Sequence, residues 1–255
     1  MTRITAIANQ KGGVGKTSTA HALVTGLTVK GYKALAIDAD PQGNLSNTMN
    51  TNYNMPGVYE VMSGTATVAD AIQHSKQGDI IASTARLTGA DLEFTDMGRE
   101  YLLRDKIAPI LSHYDYIIID TPPTLGIITI NALTAATDAI IPMGADVYSL
   151  QGLGQLHSVI GKVKQYCNPG LVISGLLITR YVGRAILTQD LRTVIEDKAK
   201  QIGSNLYHTV IREGIAVKES QAQQESLFAS GLKSNPAKDY LLFIDEYLQL
   251  RKVGL

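Results

Sequence analysis

Residues 3–8, RITAIA, alternate branched and small side chains and run directly into residues 9–17, NQKGGVGKT. Behind them Ala20, Leu23, Val24 and Leu27 recur at helical spacing. A strand that turns through glycines into a helix opening with Lys-Thr is the strand–loop–helix that cradles nucleotide phosphates. Each residue type has a physical reason. Gly12, Gly13 and Gly15 let successive N–H groups converge on an anion and remove side chains that would hold it off. Lys16 brings a charge to the β and γ phosphates. Thr17, in the first helical turn, offers a hydroxyl to Mg²⁺, while the helix terminus itself favours the anion. Val14 and Ser18 belong to the same nucleotide-binding stretch.

The usual pattern of such loops, G-x-x-x-x-G-K-[ST], would place Gly at position 10, where this chain has Gln10; in exchange it carries a second lysine, Lys11. In this respect KGGVGKT resembles the deviant Walker A loop of the ParA/MinD family of ATPases. The resemblance implies ATP as the nucleotide, and implies that Lys11 crosses a dimer interface to the partner's nucleotide. An exposed, solvated lysine is the plain alternative.

At 255 residues, 45% hydrophobic and 18% charged, the chain can bury a sizeable core, and one P-loop NTPase-like domain over residues 1–255 is expected. Formal charge balances to zero, so any nucleic-acid contact has to come from a local patch. The single cysteine, Cys167, excludes an intramolecular disulfide and, with the scattered histidines, leaves no metal-ligand spacing. It also separates the chain from the related nitrogenase iron proteins, whose cluster needs cysteine ligands. The N-terminus enters a strand at once, and the longest apolar stretch, near residues 171–178, is interrupted and far short of a bilayer span. A cytoplasmic protein without a membrane partner is expected.

Strands alternating with helices predict an α/β fold, a doubly wound and mostly parallel sheet. Further strands are expected at residues 34–37, 80–83, within 114–123, at 139–142 and at 171–179. Helical spacing appears over 102–111, 125–136, 153–163, 187–195 and 237–250, with short patterns at 58–62 and 68–72. The second strand ends in DADPQGN, residues 38–44, which sets Asp38 and Asp40 where ligands bind in open α/β sheets. Residues 114–123, YDYIIIDTPP, close a branched apolar run on Asp120, the Walker B role of delivering an acid to Mg²⁺. The family resemblance, carried also by IIIDTPP and by LGIITINALTAA at 125–136, implies that Asp40 orients the attacking water, so that Lys11, Lys16 and Asp40 form the catalytic set. It also implies that Asp38 lies near the metal beside Thr17 and Asp120. Asn131 is a helix residue of unassigned role.

The last third carries cations: Arg180 and Arg184 in LLITRYVGR, Arg192, Lys198 and Lys200 in the helix that follows, and Arg212 and Lys218 in IREGIAVKES. A solvated basic face balanced by Glu196, Asp197 and Glu219 accounts for them on composition. The resemblance implies instead that Arg180, Arg184, Lys198, Lys200 and Lys218 meet DNA. Of these, only Arg184 aligns well with a family arginine. At residues 237–250 MinD proteins would carry a basic membrane helix; here Asp239, Asp245 and Glu246 occupy the polar face, so a docked structural helix is expected.

The resemblance covers nearly the whole chain and is most specific from Met1 to about Ala136. It implies an ATPase of plasmid or chromosome partition. Slow Mg-ATP hydrolysis would control an ATP-sandwich homodimer that binds double-stranded DNA without sequence preference, associates with the nucleoid, and is stimulated by a ParB-like centromere-binding protein. Two alternatives stand beside it: a MinD-like positioning ATPase, and a switch module governed by nucleotide occupancy with little turnover.

Overall fold

The computed structural model describes residues 2–182, 186–229 and 233–252, so Arg184 lies outside the described residues. Its strands are β1 (Arg3–Ile7), β2 (Ala34–Asp38), β3 (Ile72–Gln73), β4 (Asp79–Ile81), β5 (Tyr116–Asp120), β6 (Asp138–Gly144) and β7 (Val172–Thr179). They form one sheet in the order β3-β4-β2-β5-β1-β6-β7, parallel throughout except where β3 meets β4. The longer helices are α1 (Lys16–Val29), α2 (Ile127–Ala135), α3 (Val147–Tyr166), α4 (Ile186–Gln201), α5 (Ile215–Gln223) and α6 (Asn235–Lys252).

The central strands are apolar on both faces because helices cover both. Ile7, Ala36, Ile118, Ile140 and Leu177 pack with Leu23, Leu27, Phe243 and Tyr247 of α1 and α6. Their sequence neighbours Ala6, Ile37, Ile119, Ile141 and Ile178 face the opposite way, toward Leu133 of α2, Leu156 and Ile160 of α3 and Ile195 of α4. The two-residue period of a strand thus divides a continuous apolar run between two cores. The register of the parallel ladders sets Asp120 level with Ile7 on one side and Asp38 on the other, just below the glycine loop.

Some sequence expectations change. The helix expected over 102–111 is α-helical only at Leu102–Ile107 and tightens into a 3₁₀ turn at Ala108–His113. Pro109 lacks the N–H that the α ladder would need there. The pattern at 68–72 is helical only through Ala71, and Ile72–Gln73 pair antiparallel with β4 as an edge strand, too short for its own periodicity to show. The C-terminal helix is docked, as expected, but its acids do not form a free polar face. Asp239 is buried and accepts the Arg212 guanidinium at 2.6 and 2.8 Å, Glu246 accepts the N–H groups of His208 and Thr209 at 2.7 and 3.0 Å, and Asp245 pairs with Lys30 at 2.7 Å.

Candidate functional site: the cleft above the glycine loop

The loop from β1 to α1 takes its shape from two glycines. Gly13 (φ 72°) and Gly15 (φ 82°) lie in the left-handed region, which costs an L-residue about 1–2 kcal/mol. Gly15 is also the N-cap of α1 and has no side chain to occupy the helix's free N–H groups, which stay available to an anion. Gly12 is not among the positive-φ glycines, and a Cβ there would meet only open space, so it contributes room rather than conformation. The loop is braced from the far strands: Asn9 Nδ2 donates to the Pro142 carbonyl at 2.7 Å, and the Thr179 hydroxyl donates to the Val14 carbonyl at 2.7 Å.

Lys16 is buried, and its Nζ lies 3.4 Å from the Lys11 carbonyl. Burial disfavours its protonated form, while Asp120 and Asp40 pull the other way. Asp120, at the end of β5, is fully buried, and neither carboxylate oxygen has a hydrogen-bond partner. Burial, reinforced by neighbouring Asp38, pushes its carboxyl well above the usual range, against the pull of Lys16 and of the Thr17 hydroxyl, which is close by but outside hydrogen-bonding geometry. Orphaned oxygens of this kind call for an explanation, and an ion that belongs there is one. Among the described residues no three His, Cys, Asp or Glu side chains converge into a metal cage. A hard cation would therefore draw on Asp120, the Thr17 hydroxyl, water and the ligand's own phosphate oxygens, the donor set that Mg²⁺ favours.

Asp38 differs from Asp120 although the two are strand neighbours. One oxygen accepts both the N–H and the hydroxyl of Ser46, at 2.7 and 2.6 Å, and the other accepts the Asp40 N–H at 3.2 Å. Burial raises its carboxyl to about 6 even with those donors lowering it. Through these bonds Asp38 also organises the turn that carries Asp40. Asp40 is buried at the cleft floor, with its Oδ1 accepting the Gln42 N–H at 3.0 Å and its carbonyl accepting the Ser83 hydroxyl at 2.6 Å. Lys11 is not the freely solvated lysine of the plain alternative. Its Nζ lies 2.8 and 2.9 Å from the two oxygens of Asp146 and 3.3 Å from Ser149 Oγ.

Residues 2–173 match the family profile described as an AAA domain. The chromosome partitioning protein ParA of Caulobacter vibrioides is 36% identical over 253 residues, covering 96% of this chain and 94% of that protein. The sporulation initiation inhibitor protein Soj of Bacillus subtilis is 36% identical over 246 residues, 94% and 96% of the two chains. This chain belongs to the ParA family of partition ATPases. Solved structures show the same fold. Cobyrinic acid a,c-diamide synthase from Mycobacterium smegmatis with bound ADP and magnesium superposes with a TM-score of 0.83 at 33% identity, covering 100% of this chain and 97% of that one. A putative plasmid partition protein from Borrelia burgdorferi bound to AMPPNP gives 0.84 at 25% identity, covering 98% and 99%.

The cleft holds about 800 Å³, within the range of small-molecule sites. One of its walls went unread in the sequence. Ile211, Gly214, Ile215, Val217 and Tyr240 line it together with Gly12, Thr17 and Asp40. Gln221 of α5 donates to Ser18 Oγ at 3.2 Å, and Arg212, clamped to Asp239, holds the segment that leads into α5. The expected DNA-binding cations do not assemble into one patch among the described residues. Arg180 reaches back over the loop, donating to the Gly13 carbonyl at 3.2 Å and pairing with Glu213 at 3.0 Å, and Lys218 lines the same cleft. Lys198 and Lys200 sit elsewhere, exposed on α4 beside Gln201 and Asp197.

Proposed function

We propose that this ParA-family chain binds MgATP in the cleft, hydrolyses it slowly, and uses the nucleotide to control a homodimer that engages DNA in partition. The observation that carries the reading is Asp120, a fully buried acid with both oxygens unpartnered, beside a glycine loop whose free N–H groups face the same space. When bound, Mg²⁺ would neutralise charge on the β and γ phosphates, held by Thr17 and Asp120. The main chain of residues 11–18, Lys11 to Ser18, cradles the phosphates, and desolvated Lys16 adds a charge whose strength grows as water leaves. Asp40, braced by Gln42 and Ser83, orients the attacking water.

In the dimer, Lys11 of each chain reaches the partner's phosphates. Contact with DNA falls to Arg184, Lys198 and Lys200, whereas Arg180 and Lys218 serve the nucleotide cleft that they line. Dimerisation doubles the number of cations offered to DNA, so DNA binding requires ATP, ignores base sequence and weakens with salt by about 0.9 log units per neutralised phosphate per log unit of salt. A ParB-like centromere-binding protein is the partner that stimulates turnover, and the protein resides on the nucleoid. The MinD-like alternative loses ground because the acids of α6 are used in docking that helix to the body.

Single-turnover hydrolysis tests this reading. Asp40→Ala keeps ATP affinity while its chemical step slows by about 100-fold or more, the scale of a lost positioning or general-base group. Wild-type turnover in that variant removes Asp40 from the reaction, and a parent that never hydrolyses ATP, even with DNA and a centromere-binding protein, supports the occupancy switch.

A further inference from the structure

Lys11 and Asp146 lie 135 residues apart in sequence, yet the receptacle for the lysine is built from several parts. Asp146 follows β6 and is the N-cap of α3, accepting the Ser149 N–H at 2.9 Å. Its second oxygen takes the Ser149 hydroxyl at 2.8 Å, and both oxygens face the Lys11 ammonium. The carboxylate folds back over Gly144, where a Cβ would stand 2.6 Å from Asp146 Oδ2. From the other side, Asn9 Oδ1 accepts the Lys11 N–H at 2.9 Å and fixes where the side chain starts. The lysine is thus aimed along its own chain, toward the end of β6.

We infer that Asp146 is an intrachain counter-ion that holds Lys11 away from the dimer interface and sets the protein concentration at which two ATP-bound copies close. The inference rests on the dimer reading above, in which Lys11 has to leave Asp146 to meet the partner's nucleotide. The contact suits a reversible hold. With 37% of the Lys11 side chain and 40% of the Asp146 side chain exposed, water screens the pair, and such pairs are weak. A triphosphate carries more charge than one carboxylate, and closing two copies over it removes water, so it outcompetes Asp146 only once the dimer forms. Asp146 keeps its cap on Ser149 after the lysine departs, so α3 retains its end.

Asp146→Asn tests this without uncapping the helix, since Asn caps as well as Asp. In the nucleotide-free full chain, acylation of the Lys11 amine by a soluble amine-reactive ester, read by peptide mass spectrometry, accelerates about twofold to fivefold, the range for losing one exposed ion pair. With AMPPNP, sedimentation shows the half-dimerisation concentration falling about threefold to tenfold, because two such contacts open per dimer. The same substitution in a Lys11→Ala background changes neither the dimer midpoint nor the acylation of other lysines. Unchanged Lys11 reactivity in Asp146→Asn overturns the hold, and so does a dimer midpoint that shifts equally with and without Lys11. If the parent and Lys11→Ala dimerise equally well, the interchain role of Lys11 fails instead, while the acylation measurement still decides the contact with Asp146.

Discussion

Two buried acids side by side give the nucleotide-free protein an unusual response to pH. Asp38 is raised from the ordinary aspartate value to about 6, with burial as the main cause. The folded state therefore holds a proton that the unfolded chain has already released, and stability present below the unfolded value is lost as pH rises through the folded one. A rise from 3.8 to about 6 corresponds to about 3 kcal/mol in total, with roughly half of it developing between pH 5 and pH 7.5. Asp38→Asn removes this component while leaving an oxygen to accept from Ser46. Melting the parent and the variant without nucleotide and with chelator, from pH 5 to 7.5, gives a melting temperature for the parent that drops relative to the variant by about 3–6 °C, at roughly 2–4 °C per kcal/mol for a chain of this size. Asp120 is raised mainly by burial, which both proteins share; the smaller part that comes from Asp38 is lost in the variant and leaves the sign of the difference unchanged. With saturating MgATP the parent's trend shrinks or reverses, because the cation binds ionised carboxylates. A parent-to-variant difference that stays flat with pH, or grows in the parent's favour as pH rises, refutes the argument that desolvation dominates at Asp38.

Gly15→Ala places a Cβ at a φ of 82° and costs about 1–2 kcal/mol of stability by urea unfolding, with a larger proportional loss of affinity in a fluorescent-nucleotide titration. Lys16→Ala leaves the triphosphate to backbone dipoles alone, so nucleotide affinity falls by about tenfold or more in the same titration, and unchanged affinity would remove Lys16 from the site. Arg212→Ala leaves the buried carboxylate of Asp239 only the main-chain N–H of residue 212 and loosens the segment leading into α5; about 1–3 kcal/mol of stability is lost, and nucleotide affinity falls although Arg212 lies outside the phosphate loop.

The parts of the site that could be read in the sequence are those whose geometry is local. Residues 3–18 carry their own strand, their own turn and their own helix start, so the glycine spacing between strand and helix announces an anion cradle. Asp120 was equally visible, since a branched run long enough to be a buried strand ends on it. The wall of Ile211, Ile215 and Val217 had no such signature, because apolar residues at the end of one element and the start of another look like ordinary core until the fold brings them into the same cleft as the loop. One clue was available for Asp146: an acid just past the C-terminal end of a buried strand stands at the edge where α/β sheets bind their ligands.

By itself, the sequence determined the class of fold, the identity of the phosphate loop and the strand ends bearing Asp38 and Asp120, because hydrophobic period and backbone stereochemistry are properties of neighbouring residues. Tertiary structure decided how those groups divide the work. Asp38 and Asp120 both end buried strands, yet Ser46 approaches only one of them, leaving Asp120 with free lone pairs. Lys11 and Asp146 meet only after the chain has passed through β2, β4, β5 and β6, and Arg212 and Asp239 only after it has passed through α5 into α6. Charge pairing depends on distance in space, which a local pattern does not carry. The basic residues of the last third show the same thing: Arg180 and Lys218 were drawn to the nucleotide cleft by the fold, while Lys198 and Lys200 remained exposed on a separate helix.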